Sequence, residues 1–220
     1  MKKGTISKKL LFYVILLGLV ILLISSYQPI LIGAGRFLAP EGTGKADVVI
    51  LEGEGWIREK AVKVGIELIS SGNAKRMVIV LQQDEENEKI FAGPDYSLLL
   101  VKSLQSLKLR KDQFLIIEVP TNHPITLTEA RIVLADLSKH GVRRAILVSE
   151  GFHTRRSFWA YKQVGLSLGI EIIPFPIFVK YRSENWWRNV RGAREFVSEF
   201  LKFIYYLIRG YIPVKSLLTT

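Results

Sequence analysis

The sequence contains no cysteine among its 220 residues. That absence excludes a disulfide scaffold, a thiol nucleophile and a cysteine-ligated metal site. The sequence also has no internal repeat, no low-complexity tract and no nucleic-acid-binding motif, so nucleic acid is not an expected partner. No recognised metal-ligand spacing is present, and nothing indicates a particular cofactor. The length allows one medium-sized domain with a substantial core.

An excess of apolar side chains lies in the first forty residues. The chain is 49% hydrophobic and its mean hydropathy is positive, which is high for a domain surrounded by water. The run from Leu10 to Ile24 contains no charged or amide side chain. Because about 20 residues cross the hydrocarbon core of a bilayer, we predict a transmembrane helix over residues 10–32.

Basic residues flank this run unequally, since only Arg36 follows it closely. Lysines occupy four positions before it: Lys2, Lys3, Lys8 and Lys9. The positive-inside bias therefore places residues 1–9 in the cytoplasm as a basic tail and the rest of the chain outside the cell membrane. A cleaved signal peptide is the alternative, but its apolar region would be shorter, about 7–15 residues, with a small-residue cleavage site. Gly33-Ala34-Gly35 fits such a site poorly, so we favour a single-pass anchor.

Residues 33–45 are rich in proline and glycine and are predicted to link the anchor to a domain over residues 46–212, with a tail at 213–220. Apolar, β-rich runs recur at Val48–Leu51, Met77–Leu81, Phe114–Val119, Ala145–Val148 and Ile170–Phe175. Helical patterns separate them at about Trp56–Ser71, Tyr96–Leu107, Thr126–His140 and His153–Leu168. Apolar strands alternating with helices predict an α/β fold, a three-layer α/β/α sandwich with a mainly parallel, Rossmann-like sheet.

Ligands of such sheets bind beyond the carboxyl ends of the strands, so the residues found there are the candidates. After the first strand come Gly53 and Gly55, then Arg58 one turn into the predicted helix. Glycines at this point let a ligand approach backbone N–H groups. They also suit an ordinary tight turn, because this is not the full dinucleotide fingerprint, and Arg58 also suits an exposed surface position.

The third strand ends on Glu118, a carboxylate that is costly in an apolar strand unless it is paired or lies at the rim. Thr128 and Glu129 follow at the start of the next predicted helix. We predict Glu118 as a catalytic residue, and Thr128 and Glu129 as substrate-binding residues. Capping of the helix is the alternative role for Thr128 and Glu129.

Charge is most concentrated where the fourth strand meets its helix, in Ser149 and the sequence that follows. His153 and Arg156 are three residues apart and share one helical face, whereas Arg155 projects to a different side. Two arginines are unfavourable at the positive end of a helix unless an anion binds there. We therefore predict an anion site with Ser149 and Arg156 as ligands and His153 as the catalytic residue. A solvated pair of arginines is the alternative.

Several of these segments resemble the SanA/YdcF/ElyC-like family of bacterial envelope proteins. The stretch from Ala46 to Val80 resembles the family's opening, in Ala46, Asp47, Gly53, Gly55, Arg58 and Gly72. The stretch from Val148 to Ser157 resembles its Thr-Ser-x-Tyr-His-x-x-Arg motif, in Ser149, Phe152, His153 and Arg156. Glu118, Thr121 and the segment 126–129 resemble a third element. The chain departs from the pattern at Glu52 and Glu54, in the glycine triplet, and at Ala130 and Glu150.

The resemblance implies an α/β/α domain, often membrane-anchored, with expected roles in the envelope barrier and in lipid-carrier or peptidoglycan-precursor metabolism. One expectation is then an enzyme, a hydrolase or transferase, in which Arg58 and Arg156 hold a phosphorylated or other anionic substrate. His153 would act as general acid or base, since histidine titrates near neutral pH, and Glu118 would orient it. The other is a binding or scaffold module that uses the same cleft without turnover. A metal hydrolase is a weaker third idea, with Glu118, His123, Glu150 and His153 as ligands.

The charge balance of the outer domain agrees with an anionic partner. Five of the 31 basic residues lie in the tail or at Arg36, which leaves 26 against 20 acidic residues, a net charge of about +6. Such a domain beside a bilayer attracts anionic head groups or phosphorylated lipids. The expected partners are therefore the cytoplasmic membrane and a phosphorylated lipid or other anionic small molecule. Nothing in the sequence indicates a protein partner.

A final helix is predicted within residues 184–214. Its apolar residues recur at helical spacing and predict one buried stripe, namely Val190, Ala193, Val197, Phe200, Leu201 and Ile204. Interrupting charges at Arg194, Glu195, Glu199 and Lys202 argue against a second membrane span. We expect this helix to pack on the domain and to leave residues 205–211 near the bilayer surface.

Overall fold

The computed structural model describes residues 8–53, 56–83, 96–107 and 109–213, without the side chains of residues 8, 10, 20–25, 83 and 96. Its helices are α1 (Lys8–Leu38), α2 (Glu59–Ser70), α3 (Tyr96–Ser106), α4 (Ile125–Lys139), α5 (Thr154–Leu168) and α6 (Val190–Ile208). Its strands are β1 (Val48–Glu52), β2 (Arg76–Gln83), β3 (Phe114–Pro120), β4 (Arg144–Glu150) and β5 (Glu171–Ile177). Short 3-10 turns lie at Lys111–Gln113, Gly151–His153 and Trp186–Arg188.

The five strands form one parallel sheet in the order β3-β2-β1-β4-β5. Alternate residues of each strand face opposite layers. Val49 and Leu51 pack with α2 and α3, and Val48 and Ile50 pack with α4 and α5. All four side chains are fully buried, which is why the strand is apolar throughout. The predicted α/β fold with a parallel, Rossmann-like sheet and helices on both faces is confirmed.

The chain reverses its direction of travel across the sheet between β1 and β4. From β1 it adds β2 and then β3 on one side, and it returns to place β4 and β5 on the other. Because the connections leave β1 and β4 on opposite sides, a crevice opens between the carboxyl ends of these two strands. Among the predicted strand ends, those of β1 and β4 are therefore the main place for a ligand.

Helix α2 begins three residues later than its apolar pattern predicts, at Glu59 instead of Trp56. The backbone of Arg58 is extended, with φ −74° and ψ 135°, so this residue precedes the helix and is not one turn inside it. The extended backbone lets the Arg58 side chain reach the end of β4, where it bonds Glu150. This difference at the helix start decides what Arg58 contacts.

Helix α1 is continuous for 31 residues and runs through Pro29 to Leu38. The first six residues of the predicted linker, 33–38, are therefore helical. The apolar side chains of residues 11–17 and Leu19 are exposed. In the part of the chain that the structure describes, which omits the side chains of Leu10 and residues 20–25, no helix is long and apolar enough to cross a membrane. The transmembrane helix over residues 10–32 thus has no support from the structure and stays a prediction.

The carboxyl-terminal end of α1 is packed into the domain. Leu38 is buried in an aromatic cluster with Phe152, Tyr181 and Trp186. The Trp186 indole donates a hydrogen bond of 2.9 Å to the carbonyl oxygen of Leu31. These aromatic side chains thus hold the end of α1, which includes the first residues of the predicted linker, against the domain.

The rest of the predicted linker is also tied down. The N–H of Gly42 donates a 2.8 Å hydrogen bond to the carbonyl of Pro174 in β5, and the N–H of Ala46 donates to Asn73 at the same distance. These backbone bonds satisfy groups that a free linker would leave to water. The end of the predicted linker, at Gly42, and the start of the domain, at Ala46, are therefore bonded to neighbouring segments of the domain.

The buried face of α6 is the reverse of the predicted stripe. Gly192, Phe203 and Tyr206 are buried, whereas four residues of the predicted stripe are exposed: Val190, Val197, Phe200 and Leu201. The sequence of α6 carries apolar residues on more than one face, and the aromatic face packs against Trp159 and Phe158 of α5. The expectation that the aliphatic stripe packs on the domain was wrong.

Two glycines of α1 provide a matched test of how the helix end docks. A β-carbon at Gly35 would overlap the carbonyl oxygen of Ser183, whereas one at Gly33 would meet no atom within 4 Å. We expect Gly35→Ala to lower the free energy of unfolding by about 1–3 kcal/mol, as overpacking does. Gly33→Ala should be neutral or stabilise by roughly 0.5–1 kcal/mol, the usual gain over glycine inside a helix.

Thermal unfolding in mild detergent, followed by tryptophan fluorescence, measures both variants because Trp186 lies at this contact. Equal midpoints for the two alanine variants would contradict the docked position of α1.

Candidate functional site

A cleft of about 1080 Å³ opens at the crevice between β1 and β4. Its charged floor and walls include Glu52, Arg58, Glu129, His153, Arg156 and Glu199. A second cleft of about 1030 Å³ lies beside the end of α1, and it contains no residue predicted for the site. The first cleft is the candidate site, because it lies at the point where parallel sheets bind ligands and because it brings together predicted residues from three separate segments.

His153 stands between two carboxylates at the start of α5. Its Nε2 lies 3.8 Å from Oε1 of Glu52, and its Nδ1 lies 3.5 Å from Oε2 of Glu199. Both distances suit an ion pair with a protonated imidazole, and both are long for a good hydrogen bond. The Nδ1 atom is buried without a hydrogen bond. The imidazole is thus held between negative charges and has donor and acceptor capacity to spare.

Arg156 is committed to protein partners. Its Nε and Nη2 donate to Oε2 of Glu199 at 3.1 and 3.0 Å, and its Nη1 donates to Oγ1 of Thr126 at 2.6 Å. Its guanidinium also lies 5.1 Å from the centre of the Tyr206 ring. All three guanidinium nitrogens of this buried cation thus donate to protein oxygens. The arginine predicted to hold an anion therefore holds the C-terminal helix in the structure.

Glu199 balances the charges of three basic groups. Burial acts to raise the pKa of its carboxyl, but the contacts with His153, Arg156 and Lys202 outweigh burial and hold that pKa well below its usual range. The carboxylate is therefore ionised at neutral pH. Sequence reasoning treated Glu199 as a polar interruption of a helix, because its partner Arg156 is 43 residues away in the chain.

Arg58 pairs with Glu150 across the ends of β1 and β4. Its guanidinium also lies over the Trp56 ring, 4.7 Å from the ring centre. About a third of each side chain of the ion pair is exposed, so water screens this pair more than the pair at Arg156. Of the two arginines predicted for the site, Arg58 is thus the one that a ligand from solution can reach more readily.

Glu52 is buried beneath His153 and is held by two serine hydroxyls. Ser149, predicted as a substrate-binding residue, donates to Oε2, and Ser157 of α5 donates to Oε1. Only 7% of the Glu52 side chain is exposed. Ser149 therefore positions a carboxylate in this structure. The same reasoning that singled out Glu118, a carboxylate at the end of a strand, would also have found Glu52.

Glu129 lies next to Glu52 and is only 2% exposed. The Tyr161 hydroxyl donates to its Oε1 at 2.8 Å, and the Gln82 amide donates to its Oε2 at 3.2 Å. Burial, followed by the charge of Glu52, raises the pKa of Glu129 to about 8. At neutral pH the carboxyl of Glu129 therefore keeps its proton, and such an acid can donate it to a reacting group.

Glu118 is not brought to the cleft. Its side chain follows the alternation of Phe114 and Ile116, which pack toward α2 and α3, and it accepts a hydrogen bond from Ser97 at the start of α3. His153 lies on the other side of the sheet, with α4 and α5. Glu52 and Glu199 contact His153 where Glu118 was expected to do so, because side chains alternate between the two faces of a strand.

The remaining predicted residues lie at or beside the cleft with other contacts. Gly53 lines it, but its N–H donates to Val80, and a β-carbon there would approach two backbone oxygens at 2.9 Å. This close approach of the backbone explains why a glycine occupies position 53. Gly55 lies outside the described residues. The N–H of Thr128 donates to the carbonyl of Pro124 in an ordinary helical bond, and the start of α4 has no side-chain cap, so the capping alternative is not supported. Within the described ranges, no group of three or more potential metal ligands occurs.

Comparison with known proteins gives no relative. No protein-family model, curated protein or solved structure matches the chain. Membership of the SanA/YdcF/ElyC-like family therefore stays a prediction that depends on the resemblance of short segments.

The buried acid gives the protein a specific pH dependence. The folded state keeps a proton on Glu129 up to a pKa of about 8, whereas the unfolded chain releases it near the ordinary glutamate pKa of 4.5. Because the folded state then binds the extra proton, stability falls as pH rises through this window. Glu129→Gln should remove that slope and, above pH 8, raise the free energy of unfolding relative to wild type by an amount on the order of a few kcal/mol.

Urea unfolding between pH 5 and pH 9 measures the slope, with Glu118→Gln as the control at an exposed carboxylate outside the cleft. A slope unchanged in Glu129→Gln would show that the buried carboxyl is ionised throughout.

Proposed function

We propose that this protein is a membrane-anchored envelope-biogenesis factor of the SanA/YdcF/ElyC-like type. In this proposal the cleft binds a phosphorylated or other anionic envelope metabolite, such as a polyprenyl-phosphate intermediate, and acts on it as a hydrolase or transferase. One observation carries it: Arg58, His153 and Arg156 converge at the crevice between β1 and β4, above a buried carboxyl that retains a proton.

Binding of the anion requires a change of partner at Arg58. A phosphate offers several oxygens to the planar guanidinium and carries more negative charge than the carboxylate of Glu150. Further cations lie on the rim of the cleft in α6, at Arg191, Arg194 and Lys202. An incoming phosphate would thus replace a carboxylate that already occupies its place. Arg156 stays with Glu199 and contributes positive potential from below.

Chemistry would centre on His153. In transfer of a phosphoryl group, an oxygen of water or of an acceptor alcohol bonds to phosphorus while the bond to the leaving oxygen breaks. His153 is placed to accept the proton of the attacking oxygen, with Glu52 and Glu199 stabilising the imidazolium that results. The leaving oxygen requires one proton, and the carboxyl of Glu129 holds one at neutral pH. Glu118 has no part in this scheme.

A non-catalytic binding or scaffold module is the second candidate. The observation that favours it is the pairing of both cleft arginines with carboxylates, Arg58 with Glu150 and Arg156 with Glu199. Such pairs stabilise a resting structure and give no assistance to a reaction. The two candidates differ in whether the protein turns over its ligand with the help of His153.

The proposed location depends on the sequence. The uncharged run from Leu10 to Ile24 and the lysines before it support a single-pass anchor with the N-terminus in the cytoplasm and the α/β domain outside. The docked end of α1, held through Leu38 against Phe152, would then place the cleft on the side of the domain near that anchor. An extracytoplasmic phosphorylated lipid is the partner that fits this arrangement.

If Arg58 exchanges Glu150 for the anion, then removing the charge of Glu150 should tighten anion binding and not weaken it. Glu150→Gln frees Arg58, so it should tighten binding of inorganic pyrophosphate and of geranyl phosphate by about tenfold, or roughly 1.4 kcal/mol. Arg58→Ala should weaken binding by about 1.5–3 kcal/mol, the loss of a charged hydrogen bond. Titration calorimetry measures both.

Glu171→Gln is the matched control, since it frees Arg144 from a similar pair at the amino edge of the same sheet. Tighter binding in this control would mean that overall charge, and not the cleft, controls affinity. Weaker binding in Glu150→Gln would contradict the exchange. Arg156→Ala is a poorer test because it breaks a buried ion pair.

If His153 is catalytic, its substitution should affect turnover much more than ligand binding. His153→Gln should keep pyrophosphate binding within about twofold, because the contacts to the anion come from arginine, but should lower phosphate release from geranyl pyrophosphate by more than about 100-fold. The control is His140→Gln, an exposed histidine at the end of α4. If the wild-type protein binds pyrophosphate and geranyl pyrophosphate but releases no phosphate, the protein is a binding module and not an enzyme for these compounds. Turnover retained in His153→Gln would remove His153 from the mechanism.

A further inference from the structure

The outward face of α6 carries an apolar stripe that the fold leaves uncovered. Val190, Val197, Leu201 and Ile208 follow one another at intervals of seven, four and seven residues, which the helical period places along one line. Their exposed fractions are 90%, 54%, 61% and 79%. The line lies on the side of the helix opposite the buried Glu199. Four large aliphatic side chains in one row are a surface for a partner and are unusual as a water-exposed face.

Most of the charged residues of α6 line the cleft, and the remaining exposed charges of this helix are cations. The helix contains two acidic residues, Glu195 and Glu199, and both line the cleft in ion pairs. Arg194 lies beside the apolar stripe, and Arg209 is exposed at the end of the helix. Arg191 and Lys202 line the cleft in ion pairs with Glu195 and Glu199. An apolar stripe bordered by cations is the pattern of a helix that lies in the interface of an anionic bilayer.

The same charges argue against a second copy of the chain as the occupant. Two α6 helices packed through this stripe would bring their arginines together, with no acidic residue of α6 on that face to compensate. Like charges across an interface are unfavourable. Anionic head groups, in contrast, neutralise each cation near the surface, at about 1 kcal/mol per residue.

Helix α1 contacts the buried face of α6 and carries exposed apolar side chains of its own. Phe37, at the end of α1, packs edge-to-face on Phe203 of α6 with ring centres 5.8 Å apart. Further back in α1, the described side chains of residues 11–17 and Leu19 are apolar and exposed. Tyr205, half exposed near the end of α6, is of the type that prefers the level of the head groups.

We infer that the outer stripe of α6 lies in the interface of an anionic lipid bilayer. Arg191, Arg194 and Lys202 of the same helix line the cleft, so this position places the mouth of the cleft at the level of the head groups. On the proposed function, a substrate would then enter from the lipid side with its phosphate leading. The docking itself requires neither turnover nor anion binding in the cleft, so failure of one does not imply failure of the other.

The absence of native cysteine allows a direct test with single-cysteine variants of the full chain. Val197→Cys and Leu201→Cys are labelled with an environment-sensitive fluorophore, and the protein is reconstituted into vesicles of phosphatidylcholine and phosphatidylglycerol that contain a spin-labelled lipid quencher. The matched control is Leu166→Cys in α5, because Leu166 is 71% exposed and lies on another helix. Flotation of the vesicles reports membrane association of the whole chain independently.

Both α6 fluorophores should lose most of their fluorescence, and the Leu166 fluorophore should lose little. Adding Leu201→Glu to the Val197→Cys variant should restore much of the Val197 signal, while circular dichroism stays unchanged because Leu201 is exposed. Equal quenching at all three positions, no quenching in chains that float with vesicles, or failure to float would each overturn the inference. So would disulfide-linked dimers of unlabelled Leu201→Cys, which would identify a second copy as the occupant.

Discussion

The ion pair between Arg156 and Glu199 determines the arrangement of the site and of the C-terminal helix together. Arg156 is buried at the start of α5, and a buried cation requires a counterion. Glu199 supplies it from α6 and accepts two hydrogen bonds from the guanidinium. Loss of one partner from a buried pair leaves an uncompensated charge that costs about 3–5 kcal/mol. The observed rotation of α6 about its own axis therefore satisfies this ion pair and also buries the aromatic face of Phe203 and Tyr206, while aliphatic residues of the helix stay exposed.

That rotation has consequences at both faces of the helix. On the inner face, Glu199 comes within 3.5 Å of His153, so the counterion of the arginine also holds the imidazole. On the outer face, the aliphatic residues are turned to the exterior, where a bilayer would cover them. An electrostatic requirement inside the domain thus creates the apolar surface outside it, and the proposed catalytic group and the proposed membrane contact depend on the same pair.

The cleft is closely balanced in charge before any ligand binds. Arg58 has Glu150, Arg156 has Glu199, and the proton retained by Glu129 relieves its repulsion with Glu52. A site of this kind selects a ligand by exchange of partners, since an anion must compete with a carboxylate already in place. Glu150 and Glu52, two of the positions at which the chain departs from the family pattern that it resembles, are thus central to how this cleft would work.

The sequence by itself determined the strands, the helices between them and the edge of the sheet that bears the site. Strands buried on both faces must be apolar throughout, so each left a local pattern that agrees with β1 to β5 within a few residues. The placement of Arg58, His153 and Arg156 at that edge followed from the same logic. The partners of these residues were decided by the tertiary structure alone. Glu118 lies on the far face because the β3 alternation puts it there, Glu199 reaches Arg156 across a long separation in the chain, and the buried face of α6 depends on that distant ion pair. Local periodicity records which residues avoid water, but a charge–charge contact between distant segments leaves no periodic trace in a single sequence.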